Sequence, residues 1–430
     1  MSYPTPKNPN YVATVISVPP LEPVEGLDNL LALRMFGMQA LVGKDTRPGT
    51  LGLLFSTEVQ LSEEFAKQNN LHRHSDLNAD QTKVGYLEDS RRVKAIRLRG
   101  VRSDSLFMPL SSLDYLRLKN PPREGDVFDA IDGHEICKKY QIKEPKEFTG
   151  PKARVRRVDL AQFPTHLDTE NWWRNEHKVP DNAHIVITQK LHGTSVRFGK
   201  VLVNDEKPSL LTRVAARLGV NVRTDRYRFV VGSRMVVKSV DLSAEEGKTH
   251  YYGEDDVWTQ YADTHRLSDK VPDGFLVYGE LVGYTPSGRI IQPKYAYEQT
   301  NDAKLYVYRV AVVLPNGRTV DLSWPEVRTF CEERGLATVP QLGTGIKGAV
   351  AHLIDGMMDG NYRERWLSGD NYDQAPVALS HEGTVDEGVC IRYDGPNGVF
   401  ILKAKSPIFL GHESALLDKG DADIESEESA

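Results

Sequence analysis

The chain has 430 residues, with 54 Lys+Arg against 60 Asp+Glu, a formal net charge of −6 and a pI near 6.1. At 40% hydrophobic and 27% charged residues it has the composition of an ordinary globular protein with room for two or three domains. No apolar run is long enough to span a membrane, the first residues lack the layout of a secretion signal, and Cys137, Cys331 and Cys390 are too scattered for a disulfide framework or a zinc site; the expectation is a cytoplasmic, non-secreted protein.

Residues 1–120 read mostly as short strands and loops. Val12–Val18 is β-rich and Gly52–Phe55 is a short apolar run, while Asp28–Gly43 between them fits either a helix or a strand. Arg91–Arg102 holds six basic residues and no acid. The alternation Ile96-Arg97-Leu98-Arg99 predicts a strand with Arg97 and Arg99 on one face and the apolar pair on the other. This is the pattern of a small β-barrel with a basic face, although each arginine cluster is equally a solvated surface. Residues 121–160 read as linker, with Pro121-Pro122-Arg123-Glu124-Gly125 at one end and the basic run holding Arg154 and Arg156 near the other.

A second β-rich body spans 161–412. Ile185–Thr188, Leu276–Tyr278, Leu305–Val313 and Val399–Leu402 read as strands, and Pro315-Asn316-Gly317 and Asp394-Gly395-Pro396-Asn397-Gly398 as hairpin turns. One helix is well marked: Ser323 caps it, Glu326 completes a capping box, Pro325 stands in its first turn and Gly335 ends it. Trp172-Trp173, ahead of Lys190 in this body, suits packing better than base stacking. Residues 413–430 read as an acidic disordered tail; from Asp418 onward they carry −5, so the rest of the chain is nearly neutral.

The sharpest chemical feature is Lys190-Leu191-His192-Gly193 at the end of an apolar strand. A lysine amine is a nucleophile once it has lost its proton, and a glycine turn lets backbone approach a phosphate. The motif alone is weak, since K-x-x-G arises about once or twice by chance in a chain of this length. Its company is more informative. Ser233-Arg234, Tyr278-Gly279-Glu280-Leu281, Tyr306–Arg309, Glu387–Arg392 and Lys403-Ala404-Lys405 follow in order. Lys403 and Lys405 are two apart and share a strand face, where they repel unless an anion lies between them; an exposed edge strand carrying lysines is the alternative. Their field would lower the pKa of Lys190. Glu280 and Glu387 are acids in apolar strands, which calls for metal-bound water, a ribose or a structural arginine partner.

In this order the motifs resemble those of the covalent nucleotidyltransferase superfamily, which includes ATP-dependent ligases and mRNA-capping enzymes. The chain ends soon after the last motif, and Gly52–Phe55, Leu61–Phe65, Arg91–Lys94 and Met108–Leu113 are similar to the N-terminal module of RNA ligase family 5. The resemblance implies an α+β chain: an N-terminal OB-like β-barrel joined to a ligase domain of antiparallel sheets. It implies an ATP-dependent RNA ligase with Mg²⁺ or Mn²⁺ that joins 3′-OH and 5′-phosphate ends through lysyl-AMP, with nicked duplex RNA or RNA ends as partner and no membrane. Lys190, Glu387, Lys403 and Lys405 would be catalytic. Gln189, Leu191, Gly193, Arg234, Glu280 and Tyr308 would join Glu387, Lys403 and Lys405 around the nucleotide. Glu387 and Glu280 would serve the metal, largely through water, and Arg97, Arg99, Arg154 and Arg156 would touch nucleic acid. His192 replaces the acid common at its position and favours RNA over DNA, and Arg309 stands where an acid is frequent and has no assigned role. A DNA ligase and a catalytically inactive RNA-binding relative are the alternatives.

Overall fold

The computed structural model describes residues 3–141, 158–167, 169–204, 225–240, 256–292, 295, 297, 302–358, 373–379 and 385–419. They form a strand-rich α+β chain in which nearly all strand pairs are antiparallel.

In the N-terminal region Ala13–Ser17 pairs with Leu51–Ser56, which in turn pairs with Ser105–Pro109. The first two strands are buried on both faces, which is why they read as unbroken apolar runs. Ala13, Val15, Leu53 and Phe55 enter one core, and Ile16 and Leu54 enter another with Leu33, Ala40 and Val42. Asp28–Gly43 resolves as a hairpin, Leu30–Met35 with Met38–Gly43, around Phe36 and Gly37 at positive φ. The sheets stay separate, with four, three and two strands, and no closed barrel forms among the described residues.

Two expectations for this region change. The basic run forms only a small hairpin, Ile96–Leu98 with Val101–Ser103, turned by Arg99 and Gly100 at positive φ. Arg99 therefore lies in the turn and not beside Arg97 on a strand face, and Ile96 and Leu98 stay exposed because no second layer covers the hairpin. The expected linker is also partly structural. Val127–Phe128 pairs with Ala13–Ser17 and Cys137–Lys139 with Val59–Leu61, so the N-terminal body continues to about residue 140. Arg154 and Arg156 lie outside the described residues.

The C-terminal region holds two larger sheets. One has the order Glu170–Asn171, Gly398–Lys405, Gly388–Gly395, His184–Lys190, Gln341–Ile346. The other runs Val237–Val240, Asp225–Gly232, Thr194–Asn204, Phe275–Val282, Lys304–Val313, Thr319–Asp321. Both expected hairpin turns form, and the helix Trp324–Glu333 starts at the Ser323–Glu326 capping box and stops before Gly335 at positive φ. Trp172 is buried, and Trp173 stacks against the Gly37 turn, so both are packing residues. Residues 413–418, expected to be part of the tail, are helical. Ser406 caps a helix, Pro407–Asp418, that buries Phe409 and packs its polar side against the N-terminal region.

Candidate active site

Strand register assembles the site. Lys190 pairs with Gly388, Gly388 with Lys405, and Cys390 with both Thr188 and Lys403, so residues 200 apart in sequence become neighbours. Gly193 is needed for the turn after Lys190: a Cβ there would lie 2.2 Å from the Leu281 carbonyl oxygen. Glu280, from the same strand as Leu281, accepts from the Gly193 amide at 3.0 Å and from the Ser195 hydroxyl at 3.4 Å. The acid in an apolar strand thus holds the turn after Lys190 in place.

Glu387 is buried at the centre. One carboxylate oxygen is 2.7 Å from the Lys190 ammonium and 3.5 Å from His192 Nδ1, and the other is 3.6 Å from Lys405. Burial alone would favour the neutral acid, yet the Lys190 charge and the neighbouring histidine and lysine keep Glu387 well below the usual carboxylate range. Lys190 differs from expectation. Burial works against its charge, but Glu387 outweighs both burial and the repulsion of Lys405, and the amine stays above its ordinary pKa. The nearest charge decides the direction, and that charge is an anion.

The two lysines of the last motif face one cleft with different partners. Lys403 has no ion-pair or hydrogen-bond partner among the described residues. Burial, reinforced by Lys405, Lys190 and Arg234, pulls it down to about 7. Lys405 is gripped by both oxygens of Glu413, at 3.0 and 3.1 Å. Burial opposes its charge, but Glu413 and Glu387 raise its pKa. Lys403 therefore has no anion beside it among the described residues, and Lys405 already has one.

A cleft of about 890 Å³, counting its open mouth, lies beside Lys190 between the two sheets. Leu191, Arg234, Glu280, Tyr308 and Cys390 line it. Tyr308 faces it while Tyr306 is in the core. Gln189 also lines it, but its amide is committed elsewhere: it accepts from the Val377 amide at 2.7 Å and donates to the Val377 carbonyl at 3.2 Å and to Asp386 at 3.3 Å. This makes Gln189 a brace on the wall and leaves its amide without a hand for a base.

Four further residues shape the cleft without having been singled out in the sequence or given a role there. His166 bonds the Tyr308 hydroxyl and meets the Tyr278 ring edge-on. Arg197, fully buried over Phe163, donates to the carbonyls of Arg234 and Met235 and so fixes the loop that presents Arg234. Arg309 pairs with Asp321 at 2.5 Å and covers the Tyr278 ring. Arg392 pairs with Asp394 at 2.7 Å and donates to the Tyr308 and Leu322 carbonyls, tying one sheet to the other. Only the two arginines of the quoted motifs carried a signal, and their inward direction depends on strand pairings that sequence spacing does not show.

For a metal the carboxylates are sparse. No group of three His, Cys, Asp or Glu is gathered among the described residues, and Glu280 is occupied by backbone. This donor set suits an ion that keeps most of its ligands as water and phosphate oxygen, with Glu387 the nearest protein carboxylate.

The family model for RNA ligase matches residues 183–405, more than half of the chain. Naegleria gruberi RNA ligase with PPi is similar in structure, with a TM-score of 0.57 and 15% identity, covering 96% of this chain and 100% of the other. Two mutants of that ligase are similar as well: one with ATP and Mn (TM-score 0.56, 15% identity, 94% and 99% covered) and one with AMP and Mn (0.55, 15%, 93% and 98%). No curated protein sequence matches the chain. The matched span begins one residue before the strand that carries Lys190 and ends on Lys405, enclosing the whole charge cluster around Glu387, and on that match the chain belongs to the RNA ligase family.

Proposed function

We propose that the protein is an ATP-dependent RNA ligase that joins 3′-OH and 5′-phosphate ends at nicks in duplex RNA. The observation that carries this is the pairing of a strand-end lysine, 2.7 Å from a buried carboxylate, with a half-buried lysine that has no ion-pair partner among the described residues. Lys190 gives up its proton and its nitrogen attacks the α-phosphorus of ATP, with pyrophosphate leaving. A 5′-phosphate oxygen then attacks the same phosphorus and frees the lysine. Last, the 3′-OH attacks the activated 5′ end, a phosphodiester bond forms and AMP leaves with the electron pair. Lys403 and Lys405 neutralise phosphate charge as it builds, Tyr308 offers a face to adenine, and Arg234 holds a ribose or the incoming 5′-phosphate. A divalent cation, Mg²⁺ or Mn²⁺, supplies further neutralisation when bound, with Glu387 and Glu280 the carboxylates at hand.

The reading includes a division of labour. Residues 1–120, continued by the pairings up to residue 139, serve as an OB-like module for RNA, and 161–412 as the ligase domain with the helix to Asp418 attached. Arg97 and Arg99, both exposed, and Arg154 and Arg156 provide phosphate contacts that position a duplex without reading its sequence. The layout, with the extra body before the nucleophile, favours RNA ligase family 5. Three free cysteines suit the cytoplasm.

The test is stepwise. With α-³²P-ATP and Mg²⁺ the chain should take label, and Lys190→Ala should take none. Sealing should then be fastest on nicks with RNA at the 3′-OH side. Label persisting in Lys190→Ala, or faster sealing of all-DNA nicks, would overturn the proposal.

A further inference from the structure

We propose that Glu413, on the helix Pro407–Asp418, is a positioning residue for Lys405, and that the N-terminal region holds that helix in register through Arg92. The inference rests on the ATP-dependent reading above, but Glu413 lies beyond the span matched to the family, which ends at Lys405.

The first observation is the grip on Lys405. Both Glu413 oxygens accept from its ammonium, and the Phe409 ring, one helical turn earlier, lies 5.0 Å from the same nitrogen. Spacing of i and i+4 places both groups on one helix face. Without that carboxylate, Lys405 would share a strand face with Lys403 and sit near Lys190, and repulsion would turn its flexible arm toward water. Glu413 thus keeps Lys405 aimed at the edge of Glu387, 3.6 Å away, where a triphosphate would meet it. An ammonium has three donors, so Lys405 can hold Glu413 and receive a phosphate oxygen together.

The second observation is the mooring of the helix. Arg92, with a side chain 1% exposed, lies 3.3 Å from Glu58 and donates to the Ser414 carbonyl at 3.2 Å and to Asp418. Ser414 donates to Glu58 at 2.8 Å and accepts from the Ala95 amide at 3.1 Å, and Lys94 adds a contact to Asp418 at 2.8 Å. Residue 414, next to the residue that holds Lys405, is therefore fixed to the N-terminal region by three bonds. A rigid short helix transmits that fixation, so the first 140 residues help to place a lysine of the nucleotide site.

The experiment uses the full chain and two reactions: single-turnover lysine adenylylation against ATP·Mg²⁺ concentration, and sealing of a pre-adenylylated RNA nick without ATP. In Glu413→Ala the half-saturating ATP should rise about tenfold, with the maximal rate and the ATP-free sealing changed less than about threefold. Glu413→Gln, which keeps an acceptor oxygen, should fall between. Arg92→Met should give the same shift, and the Glu413→Ala/Arg92→Met double variant no more than Glu413→Ala alone. Should Arg92→Met fail to fold, Asp418→Asn reads the same mooring through a smaller shift in the same direction. Half-saturating ATP unchanged in Glu413→Ala, or equal losses in both reactions, would overturn the role of Glu413. A shift in Glu413→Ala with none in the mooring variants would overturn the role of Arg92. An unlabelled wild-type chain would instead strike down the ligase reading and this inference with it, so the two failures are distinguishable.

Discussion

The charge cluster around Glu387 and the seam between the N-terminal region and the last helix are both rich in partly buried charge, and they use it in opposite ways. In the seam, Arg92 meets Glu58 and Asp418, and Lys94 meets Glu88 and Asp418; each cation has an anion and the result is a joint. In the cluster, Lys403 is half-buried near Lys405, Lys190 and Arg234 and has no ion-pair partner among the described residues. Keeping such a lysine charged is costly unless an anion meets it. The difference separates a binding site from a structural contact more sharply than residue type does, since both regions draw on the same lysines, arginines and carboxylates.

The largest effect that would break this contrast is at Lys403. Lys403→Met should weaken ATP binding by about 100-fold, as loss of a buried charge-assisted contact to phosphate predicts. The proton inventory sharpens the point. With a pKa of about 7 in the empty site, Lys403 is mostly neutral at pH 8, and a triphosphate beside it restores the charged form. Nucleotide binding at pH 8 should therefore take up a proton, seen as a dependence of the calorimetric heat on buffer ionisation enthalpy, and Lys403→Met should abolish that uptake. Affinity and proton count equal to those of the unaltered chain would mean Lys403 is not where phosphate binds. The sign for the fold follows the same logic. A lysine whose folded pKa is depressed binds fewer protons than in the unfolded chain between about 7 and its ordinary pKa, so its contribution improves as pH rises through that window.

Comparable in size is the effect at the buried arginine pair within the six-stranded sheet. Arg309→Met should destabilise the chain by about 3 kcal/mol, because it leaves Asp321 part-buried without its cation and removes the guanidinium from the Tyr278 ring. A denaturant midpoint within error of the unaltered chain would show that the pair is a surface contact in all but position. The smallest effect belongs to the turn that meets Trp173. Gly37→Ala should cost about 1–2 kcal/mol, since φ is +72° there and a Cβ would meet the Trp173 ring. An unchanged melting temperature would show that the Trp173 contact yields without cost.

Much of the C-terminal sheet was legible in the sequence because its signals are local. The capping box at Ser323, the hairpin turns at Gly317 and Gly395-Pro396-Asn397-Gly398, and the apolar strand ending at Lys190 each state their structure within a few residues. What was not legible depends on partners distant in the chain. Glu413 looked like the first acid of a solvated tail, and only the docking of its helix, through Phe409 and Ser414, makes it a neighbour of Lys405. Gln189 stands beside Lys190 in sequence, yet Val377, 188 residues away, takes its amide. The pKa of Lys190 was misjudged for the same reason. Two lysines were visible in a motif, while the distance to Glu387 was not. The short hairpin at Arg97 failed differently: its alternation was real, but no layer of apolar residues covers it.

The central claim is that Lys190 is the residue that takes up the nucleotide, and intact-mass measurement with peptide mapping tests it most directly. After incubation with ATP and Mg²⁺, the chain should gain the mass of one AMP, localised to Lys190 and lost on adding pyrophosphate. An unmodified chain, or AMP found on any other residue, would contradict the account.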